Sequence, residues 1–191
     1  METLMTRMLA AMLASFVLAA NGAEIAGVKL DDRARVQGSE LVLNGAGLRK
    51  RIIFDVYVIG LYLPDKKADA SAVLALAGNK RVAIRMLRDV GADQFSSALT
   101  DGVRANHSDA EFRNLEPRLQ ELGATMAGLK EATKGMAITL DFAASQTQLV
   151  VDGKPVGRPI AGDDFFRALL RIWVGEKPVQ DDLKKALLGQ P

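Results

Sequence analysis

The order of apolar and polar positions divides the chain, after its first twenty or so residues, into strands, helices, strands and helices again. The first strand region extends from Ile25 to Leu63. Its longest apolar run, RIIFDVYVIGLYL, is rich in the β-branched and aromatic residues that strands prefer. Apolar and polar residues do not alternate strictly in this run, which predicts a strand covered at least partly on both faces. Gly60 within it indicates a bulge or a close backbone approach.

After this strand region, the spacing of apolar residues predicts a short helix, a strand and two further helices. DASAVLALAGN predicts a short helix that ends at Gly78, and KRVAIRMLRDV has the period of a strand with one apolar face. Asp93 is the expected N-cap of a helix over QFSSALTDGVRAN. A further helix begins at Ser108, where SDAE has capping-box spacing. Pro117 lies inside this helix and is expected to kink or divide it.

A second strand region and two closing helices complete the pattern. MAITLDFA and TQLVVDGKPVG predict a hairpin pair, with Asp152-Gly153 as a turn. DDFFRALLRIWVG predicts a helix ending at Gly175, and a last helix is expected from near Pro178 to Gly189. This order predicts one α+β domain, in which a large antiparallel sheet is backed by a layer of helices.

The first residues have the pattern of a secretory signal peptide. METLMTR ends in a cation, and the apolar run MLAAMLASFVLAA is shorter than the roughly 20 residues that span a membrane. Small residues follow, so we expect cleavage near Gly22 or Ala23, with residues 1–23 removed and residues 24–191 forming the mature domain. A membrane anchor or a buried helix is the alternative. The expected product is exported, periplasmic in a Gram-negative source, and without a stable membrane span.

Composition excludes several classes of function. The 25 Lys and Arg residues nearly balance the 23 Asp and Glu residues, so no strong positive field is available to bind nucleic acid. The absence of cysteine excludes disulfides, thiolate nucleophiles and cysteine metal sites. The single histidine, His107, excludes a multi-histidine metal site, and its polar setting favours a solvated or capping role. We expect neither a metal nor a cofactor.

The sequence offers few groups for catalysis. Ser96 and Ser97 have no evident activating base, and GAG lacks the spacing of a nucleotide-binding loop. Arg49 remains, in a cluster of three cations next to an apolar strand. Its forked donors suit a carboxylate or phenolate oxygen at the end of an apolar pocket. The alternative is a charge that ends a strand at the water surface.

Two stretches resemble the chalcone isomerase superfamily. LNGAGLRKRIIFDVYVIGLYL contains its glycine-framed GAG-x-R followed by a strand that ends in G-x-Y-L, and DDFFRALLRIWVGEKPVQDDLKKALLG is similar to its closing helices. The likeness covers the mature chain and is greatest to the bacterial chalcone isomerase-like proteins. It implies an open-faced β-sandwich, in which a large antiparallel sheet is backed by helices and a cleft lies between them.

The resemblance also implies a site around Arg49, which matches the arginine that stabilises the reacting oxyanion in plant chalcone isomerases. The positions of the superfamily's helix tyrosine and late threonine fall near Phe95 and Ile172, and that of its asparagine falls near Gly102. The strand threonine falls near Tyr57, which is a looser match. Cyclisation requires polar groups that hold the oxyanion and the reacting atoms, and phenylalanine and isoleucine supply none.

These replacements favour binding over catalysis. In the superfamily's fatty-acid-binding members, an arginine and a tyrosine hold the carboxylate and the acyl chain occupies the cleft. The sequence therefore predicts an exported protein that binds a hydrophobic, fatty-acid-like anion, with Arg49 as its anchor. Tyr57 is the weaker candidate for a second donor, and Phe95 and Ile172 are expected to be apolar lining. Tyr62 is the other tyrosine available, because the strand register decides which of the two faces the cleft.

Two alternatives stay open. The first is an isomerase or intramolecular lyase in which Arg49 stabilises an oxyanion on a chalcone-like or other substrate. The second is an interaction protein of the envelope whose pocket is vestigial, with Arg49 paired to a structural acid such as Asp55.

Overall fold

The computed structural model describes residues 22–190, and every element below lies within them. The strands are β1 Ala23–Ile25, β2 Val28–Leu30, β3 Arg33–Val36, β4 Ser39–Arg51, β5 Phe54–Leu63, β6 Lys80–Met86, β7 Val90–Gly91, β8 Glu131–Ala132, β9 Ala137–Ala143, β10 Gln146–Val151 and β11 Lys154–Ala161. The helices are α1 Ala70–Ala75, α2 Ala92–Ala105, α3 Asp109–Ala127, α4 Asp163–Val174 and α5 Asp181–Leu187. The predicted signal peptide lies outside the described residues except for Gly22 and Ala23, and it stays a prediction.

Seven strands form one antiparallel sheet in the order β11-β10-β9-β6-β5-β4-β3. All five described helices contribute buried residues to the core on one face of this sheet, which we call the helix-side core. A smaller apolar cluster lies on the other face, where the β1–β2 hairpin packs. The arrangement confirms the expected α+β open-faced sandwich and explains why β5 is apolar on both faces.

The apolar run RIIFDVYVIGLYL is not one strand, which corrects the sequence interpretation. β4 continues through the three cations to Arg51, residues 52 and 53 form a turn, and β5 begins at Phe54, which pairs with Arg51. The turn escaped detection because it contains none of the glycine, asparagine or proline residues that normally mark turns. The cations therefore lie at the end of one strand of a hairpin.

Other boundaries differ from expectation in detail. The expected hairpin pair near the C-terminus is a three-stranded meander, because Ala144 and Ser145 form a second turn, both with positive φ. Asp93 lies in the first turn of α2 and is not its N-cap. The capping box that begins at Ser108 is confirmed, but α3 runs without interruption through Pro117. A proline removes one N–H from the helix ladder, and tertiary packing here outweighs that loss.

The GAG stretch brings α5 against the sheet. Gly45 and Gly47 face the helix-side core from β4, opposite Leu61 and Ile59 of β5. A Cβ atom at Gly45 would lie 2.7 Å from the Leu187 carbonyl oxygen, and closer still to that of Ala186. The missing side chains thus allow the helix backbone to pack directly on the strand. The next residue on the same face of β4 is Arg49.

Candidate functional site

A cleft of about 890 Å³ lies where the β4–β5 hairpin meets α2 and the segment that joins α4 to α5. Its lining includes all four residues selected from the sequence, Arg49, Tyr57, Phe95 and Ile172. Two of them come from the hairpin, one from α2 and one from α4. The fold therefore brings together residues that are far apart in the sequence, and their roles toward a ligand stay predictions.

Strand register places Arg49 and Tyr57 side by side. The two residues are directly opposed in the β4–β5 pair, so their side chains share the helix face of the sheet. Tyr62 is an odd number of residues from Tyr57 and lies on the other face, where its hydroxyl donates to the Asp31 carbonyl oxygen at 2.9 Å. Burial raises the pKa of Tyr62 to about 12. Tyr62 is thus excluded from the cleft, and Tyr57 is the tyrosine beside Arg49.

The hydroxyl of Tyr57 is held as an acceptor by Trp173, whose Nε1–H donates to it at 3.0 Å. Both side chains are buried, and the Tyr57 ring makes an edge contact with Phe95 at 6.2 Å between centroids. Burial raises the pKa of Tyr57, while the hydrogen bond from Trp173 and the positive charge of Arg49 oppose this shift. The phenol is therefore neutral near pH 7. Within residues 22–190 its own proton has no acceptor, so it is available to a ligand.

Arg49 is half-buried and held by Gln180. Its Nη1 donates to the Gln180 Oε1 at 3.2 Å and to the carbonyl oxygen of Lys50. Gln180 also accepts from the Lys50 backbone N–H at 2.8 Å and donates to the Leu48 carbonyl oxygen at 3.0 Å. Although Gln180 precedes α5 at the N-cap position, its side chain does not cap that helix. It fixes the position of the arginine on β4.

Arg49 keeps its charge free of a carboxylate partner in the described part of the chain. Asp55 is exposed and forms no ion pair with it, so the pairing expected for a vestigial pocket is not formed. The guanidinium has five N–H donors, and the two hydrogen bonds above use only one of its nitrogen atoms. Apart from an interaction with the Tyr57 hydroxyl, which opposes the rise that burial causes in the pKa of that phenol, the remaining donors are available to an anion.

Beyond these two residues the buried part of the lining is apolar, while Gln94 and Ser97 of α2 line the cleft at exposed positions. Phe95 and Ile172 are 5% and 2% exposed, and neither side chain can donate a hydrogen bond. Gly102 of α2 lies against Ile172, where a Cβ would come within 2.8 Å of the isoleucine Cγ2. The positions at which the resemblance implied polar groups therefore form a packed apolar wall here.

Asn106 and His107 lie outside the lining of the cleft. Asn106 accepts from the Lys177 backbone N–H at 2.9 Å and donates to the carbonyl oxygens of Gly102 and Lys177. It thereby ties the α4–α5 segment to the end of α2. The His107 Nδ1 lies 2.7 Å from the Val103 carbonyl oxygen, which agrees with a capping role rather than that of a general base.

Charged side chains stand around the rim of the cleft. The cations there are Arg51, Arg88 and Lys177, and the acids are Asp89 and Asp101. All five residues are exposed, and Asp89 accepts a hydrogen bond from the Lys134 backbone N–H at 2.7 Å. The charge of the interior is that of Arg49 alone.

Sequence reasoning missed two residues that shape the site. Trp173 lies at helical spacing among apolar residues, a pattern typical of core packing, although its indole N–H orients the Tyr57 hydroxyl. Gln180 lies in a polar stretch before α5, and nothing in the sequence links it to a strand 131 positions away. The Gly45 and Gly47 pair was a signal that a helix approaches β4 closely, but it does not specify which side chain reaches the arginine.

Comparisons with known proteins identify the family. No curated protein sequence matches this chain. A crystal structure of a fatty-acid binding protein from Arabidopsis thaliana matches with a TM-score of 0.65 and 15% sequence identity, over 87% of this chain and 95% of that one. At this identity the likeness shows the fold. None of the described helices is long and apolar enough to cross a membrane. A family model described as chalcone isomerase-like matches residues 22–189, and the chain therefore belongs to the chalcone isomerase-like family.

Proposed function

We propose that this protein binds a hydrophobic small molecule with an anionic head, such as a fatty acid, and lacks the chalcone isomerase activity of the plant enzymes. The observation that carries the proposal is the pair of free donors, the Arg49 guanidinium and the Tyr57 hydroxyl, at the side of an apolar cleft. The guanidinium forms charge-assisted hydrogen bonds to the head group, and Tyr57 adds a neutral donor. The cleft volume lies within the usual range of small-molecule sites.

The apolar wall supports an acyl chain as the rest of the ligand. Phe95, Leu99 and Ile172 offer the chain a surface that excludes water, and burial of each methylene group contributes about 0.8 kcal/mol. The same wall disfavours a cyclisation reaction, because it provides no second polar group to hold a reacting hydroxyl in register. The fatty-acid binding protein of Arabidopsis thaliana that shares the fold is consistent with this proposal.

The anchor role is tested by titrating the protein with oleate and with methyl oleate, which has the same chain without the charge. Arg49→Ala is expected to weaken oleate binding about ten- to a hundredfold, the equivalent of one lost hydrogen bond to a charged group. Binding of the methyl ester is expected to change little. Arg113→Ala is the matched control, because Arg113 is exposed on α3 and does not line the cleft.

Mass spectrometry of the natively purified protein identifies the ligand that it carries from its host. The unsubstituted protein and the Arg113→Ala control are expected to retain an acidic lipid that the Arg49→Ala variant has lost. Equal retention by all three proteins would refute the anchor role of Arg49.

An isomerase or intramolecular lyase is the second candidate function, and the placement of Arg49 beside a neutral tyrosine favours it. This pair could hold an oxyanion as well as a carboxylate. Loss of chalcone absorbance, followed with and without protein, tests the candidate. Turnover above the spontaneous rate that disappears in Arg49→Ala would favour the enzyme over the binding protein.

We also propose that the protein is exported, on the basis of the N-terminal pattern. Fractionation of the source cells, followed by determination of the N-terminus of the isolated protein, tests this. A mature chain that begins near Gly22 or Ala23 is the expected result, and a chain that retains Met1 in the cytoplasm would refute it.

A further inference from the structure

The tip of the β4–β5 hairpin exposes a concentrated apolar surface. Ile52 and Ile53 are 89% and 83% exposed, and Phe54 beside them is 50% exposed. These three consecutive residues are the large hydrophobic side chains that stand out in solvent within residues 22–190. We call residues 52–54 the hairpin tip. Isolated apolar residues on a surface need no explanation, but a contiguous group at a protruding turn indicates contact with something apolar.

The backbone of the tip adds to this indication. Ile52 has a φ of 58°, a conformation that β-branched residues seldom adopt. Two-residue hairpin turns favour Asn-Gly or Gly-containing pairs, which accept positive φ at little cost. The turn therefore lowers local stability in two ways, through the strained backbone of Ile52 and through the exposure of both isoleucine side chains. Residues that oppose local stability in this way are concentrated where a function requires them.

Cations stand directly behind the tip. Lys50 and Arg51 precede it on β4, and both are exposed. Arg88, from the neighbouring β6–β7 connection, lies with its guanidinium carbon 4.4 Å from the centre of the Phe54 ring. The tip is thus apolar at its end and basic at its base.

The nearby acids do not cancel this charge. Asp55 and Asp89 lie in the same region, and both are exposed. Residues 49–55 together with 88 and 89 contain four cations and two acids, a net charge of +2 (4 − 2). Asp89 is also held by the Lys134 backbone N–H, away from any pairing with the cations.

We propose that the hairpin tip docks on the surface of an anionic phospholipid bilayer. Ile52 and Ile53 insert between the lipid head groups, where their exposed side chains are removed from water. Lys50, Arg51 and Arg88 meet the phosphate groups, since each cation near an anionic surface adds to the attraction. Arg51, Ile52 and Phe54 also line the cleft, so docking turns the mouth of the cleft toward the membrane.

A bilayer fits the size and form of the tip better than a protein partner does. A stable protein interface buries about 800 Å² on each partner, which three residues at a two-residue turn cannot provide. Insertion at a lipid interface requires only a few apolar residues with cations behind them. The proposal concerns the tip and holds whether or not the ligand of the cleft is a fatty acid.

The test measures binding to sedimentable vesicles of phosphatidylcholine, with and without phosphatidylglycerol. It uses protein that begins at Gly22, whose helices, strands and cores all lie within the described residues, so that the apolar segment at the N-terminus contributes nothing. The protein is expected to bind phosphatidylglycerol vesicles at least about tenfold more tightly than neutral ones, with binding that weakens as salt is added.

The decisive variant combines Ile52→Asn with Ile53→Gly, in which asparagine accepts the positive φ at position 52 and both exposed apolar side chains are removed. Its thermal stability is expected to be equal or higher, and its vesicle binding at least about tenfold weaker. Ala144→Asn with Ser145→Gly is the matched control, because these residues form another two-residue turn and do not line the cleft. The control is expected to bind vesicles as the unchanged protein does.

Three results would overturn the proposal. They are failure of the unchanged protein to bind either kind of vesicle, undiminished binding by the Ile52→Asn, Ile53→Gly variant, and photo-crosslinking from residue 53 in an envelope extract to a protein rather than to lipid. In the full chain, the unchanged protein is expected to form a photo-crosslink from residue 50 to lipid. The Ile52→Asn, Ile53→Gly variant is expected to lose it. An unchanged lipid crosslink there would also contradict docking through the tip.

Discussion

Replacing Gly45 by alanine should destabilise the fold more than the same substitution at Gly47, the other glycine of β4. A new Cβ would meet the carbonyl oxygen of Leu187 at 2.7 Å, that of Ala186 at a shorter distance, and the Leu187 carbonyl carbon at 2.8 Å. Real Cβ atoms essentially never approach other heavy atoms more closely than 3.0 Å. Relief of the Leu187 contact alone requires α5 to move away from β4 by 0.3 Å (3.0 − 2.7), and the nearer Ala186 oxygen requires a larger movement.

The size of the destabilisation depends on the voids that open when α5 moves away from the sheet. Leu183 and Leu187 of α5 are each 1% exposed, so retreat of the helix opens voids around two fully buried side chains. Overpacking in a tightly packed core typically destabilises by about 1–3 kcal/mol, and a collision with backbone cannot be relieved by a side-chain rotation. We therefore expect Gly45→Ala to reduce the free energy of unfolding by about 3 kcal/mol. In a domain of this length that corresponds to a fall in Tm of about 6–12 °C.

Gly47→Ala is the graded comparison, since its Cβ would meet the far end of the Leu183 side chain at 2.5 Å. Because that side chain can rotate, we expect a loss of about 1 kcal/mol. Gly91→Ala is the control, with no heavy atom within 4 Å of the new Cβ and a φ of −55°. Since Gly91 is the N-cap of α2, where alanine is less favourable than glycine, the substitution should cost up to about 1 kcal/mol, well below the loss expected for Gly45→Ala.

Urea unfolding followed by tryptophan fluorescence measures all three variants, because the one tryptophan, Trp173, is buried beside the cleft. Gly45→Ala should also weaken oleate binding, since the displaced α5 carries Gln180 away from Arg49. Unfolding of Gly45→Ala and Gly91→Ala at the same urea concentration would show that α5 accommodates the new methyl group without loss of stability.

Three further predictions concern single contacts. Tyr57→Phe should lower the free energy of unfolding by about 1–3 kcal/mol, because it leaves the buried Trp173 N–H without its acceptor; unchanged urea unfolding would contradict this. The hydrogen bond from Arg118 lowers the pKa of Asp164, so its stabilisation is present above the unfolded pKa near 3.8 and is lost as the pH falls through the lowered pKa. The Asp164 side chain is 60% exposed, so Asp164→Asn should lower the free energy of unfolding by less than about 1 kcal/mol at pH 7 and by nothing in strong acid. A loss of stability that persists in acid would show that it does not come from the Arg118–Asp164 ion pair. Ser108→Ala should cost about 1 kcal/mol through loss of the α3 N-cap, whereas Ser108→Asp should retain most of the stability.

The periodicity of apolar residues was sufficient to predict the layers of the fold, but not the turn between β4 and β5. The alternation in β6 and the apolar stripes of α2 and α3 give the buried faces correctly, because each reflects burial on one side only. The β4–β5 turn has no such signal. Isoleucine is typical of strands, so residues 52 and 53 extend the pattern of their neighbours, and only three-dimensional structure shows them at a tip.

Only those site residues could be predicted that a local sequence motif marks by itself. Arg49, Phe95 and Ile172 were selected by resemblance to motifs, and all three line the cleft. The contacts of Trp173 and Gln180 join residues 116 and 131 positions apart, and they depend on how α4 and α5 pack on the sheet. No local pattern encodes such a distance. Choosing Tyr57 over Tyr62 similarly required the register of β5.

The way in which the polar residues of the cleft are held favours capture of an anion over its formation. Gln180 uses its oxygen on Arg49 and on the Lys50 N–H, and Trp173 occupies an acceptor position of Tyr57, so neither support uses the Tyr57 proton or the other guanidinium nitrogen atoms. A reaction that generates an oxyanion also needs a group that accepts or positions a proton, and the packed wall of Phe95 and Ile172 provides none. The carboxylates of the lining, Asp89 and Asp101, stand at exposed positions on the rim. A carboxylate arrives with its charge already formed and needs only donors. If the hairpin tip docks on a bilayer as we propose, the mouth of the cleft faces the phase in which amphiphilic anions concentrate, and the donors lie where such a head group enters.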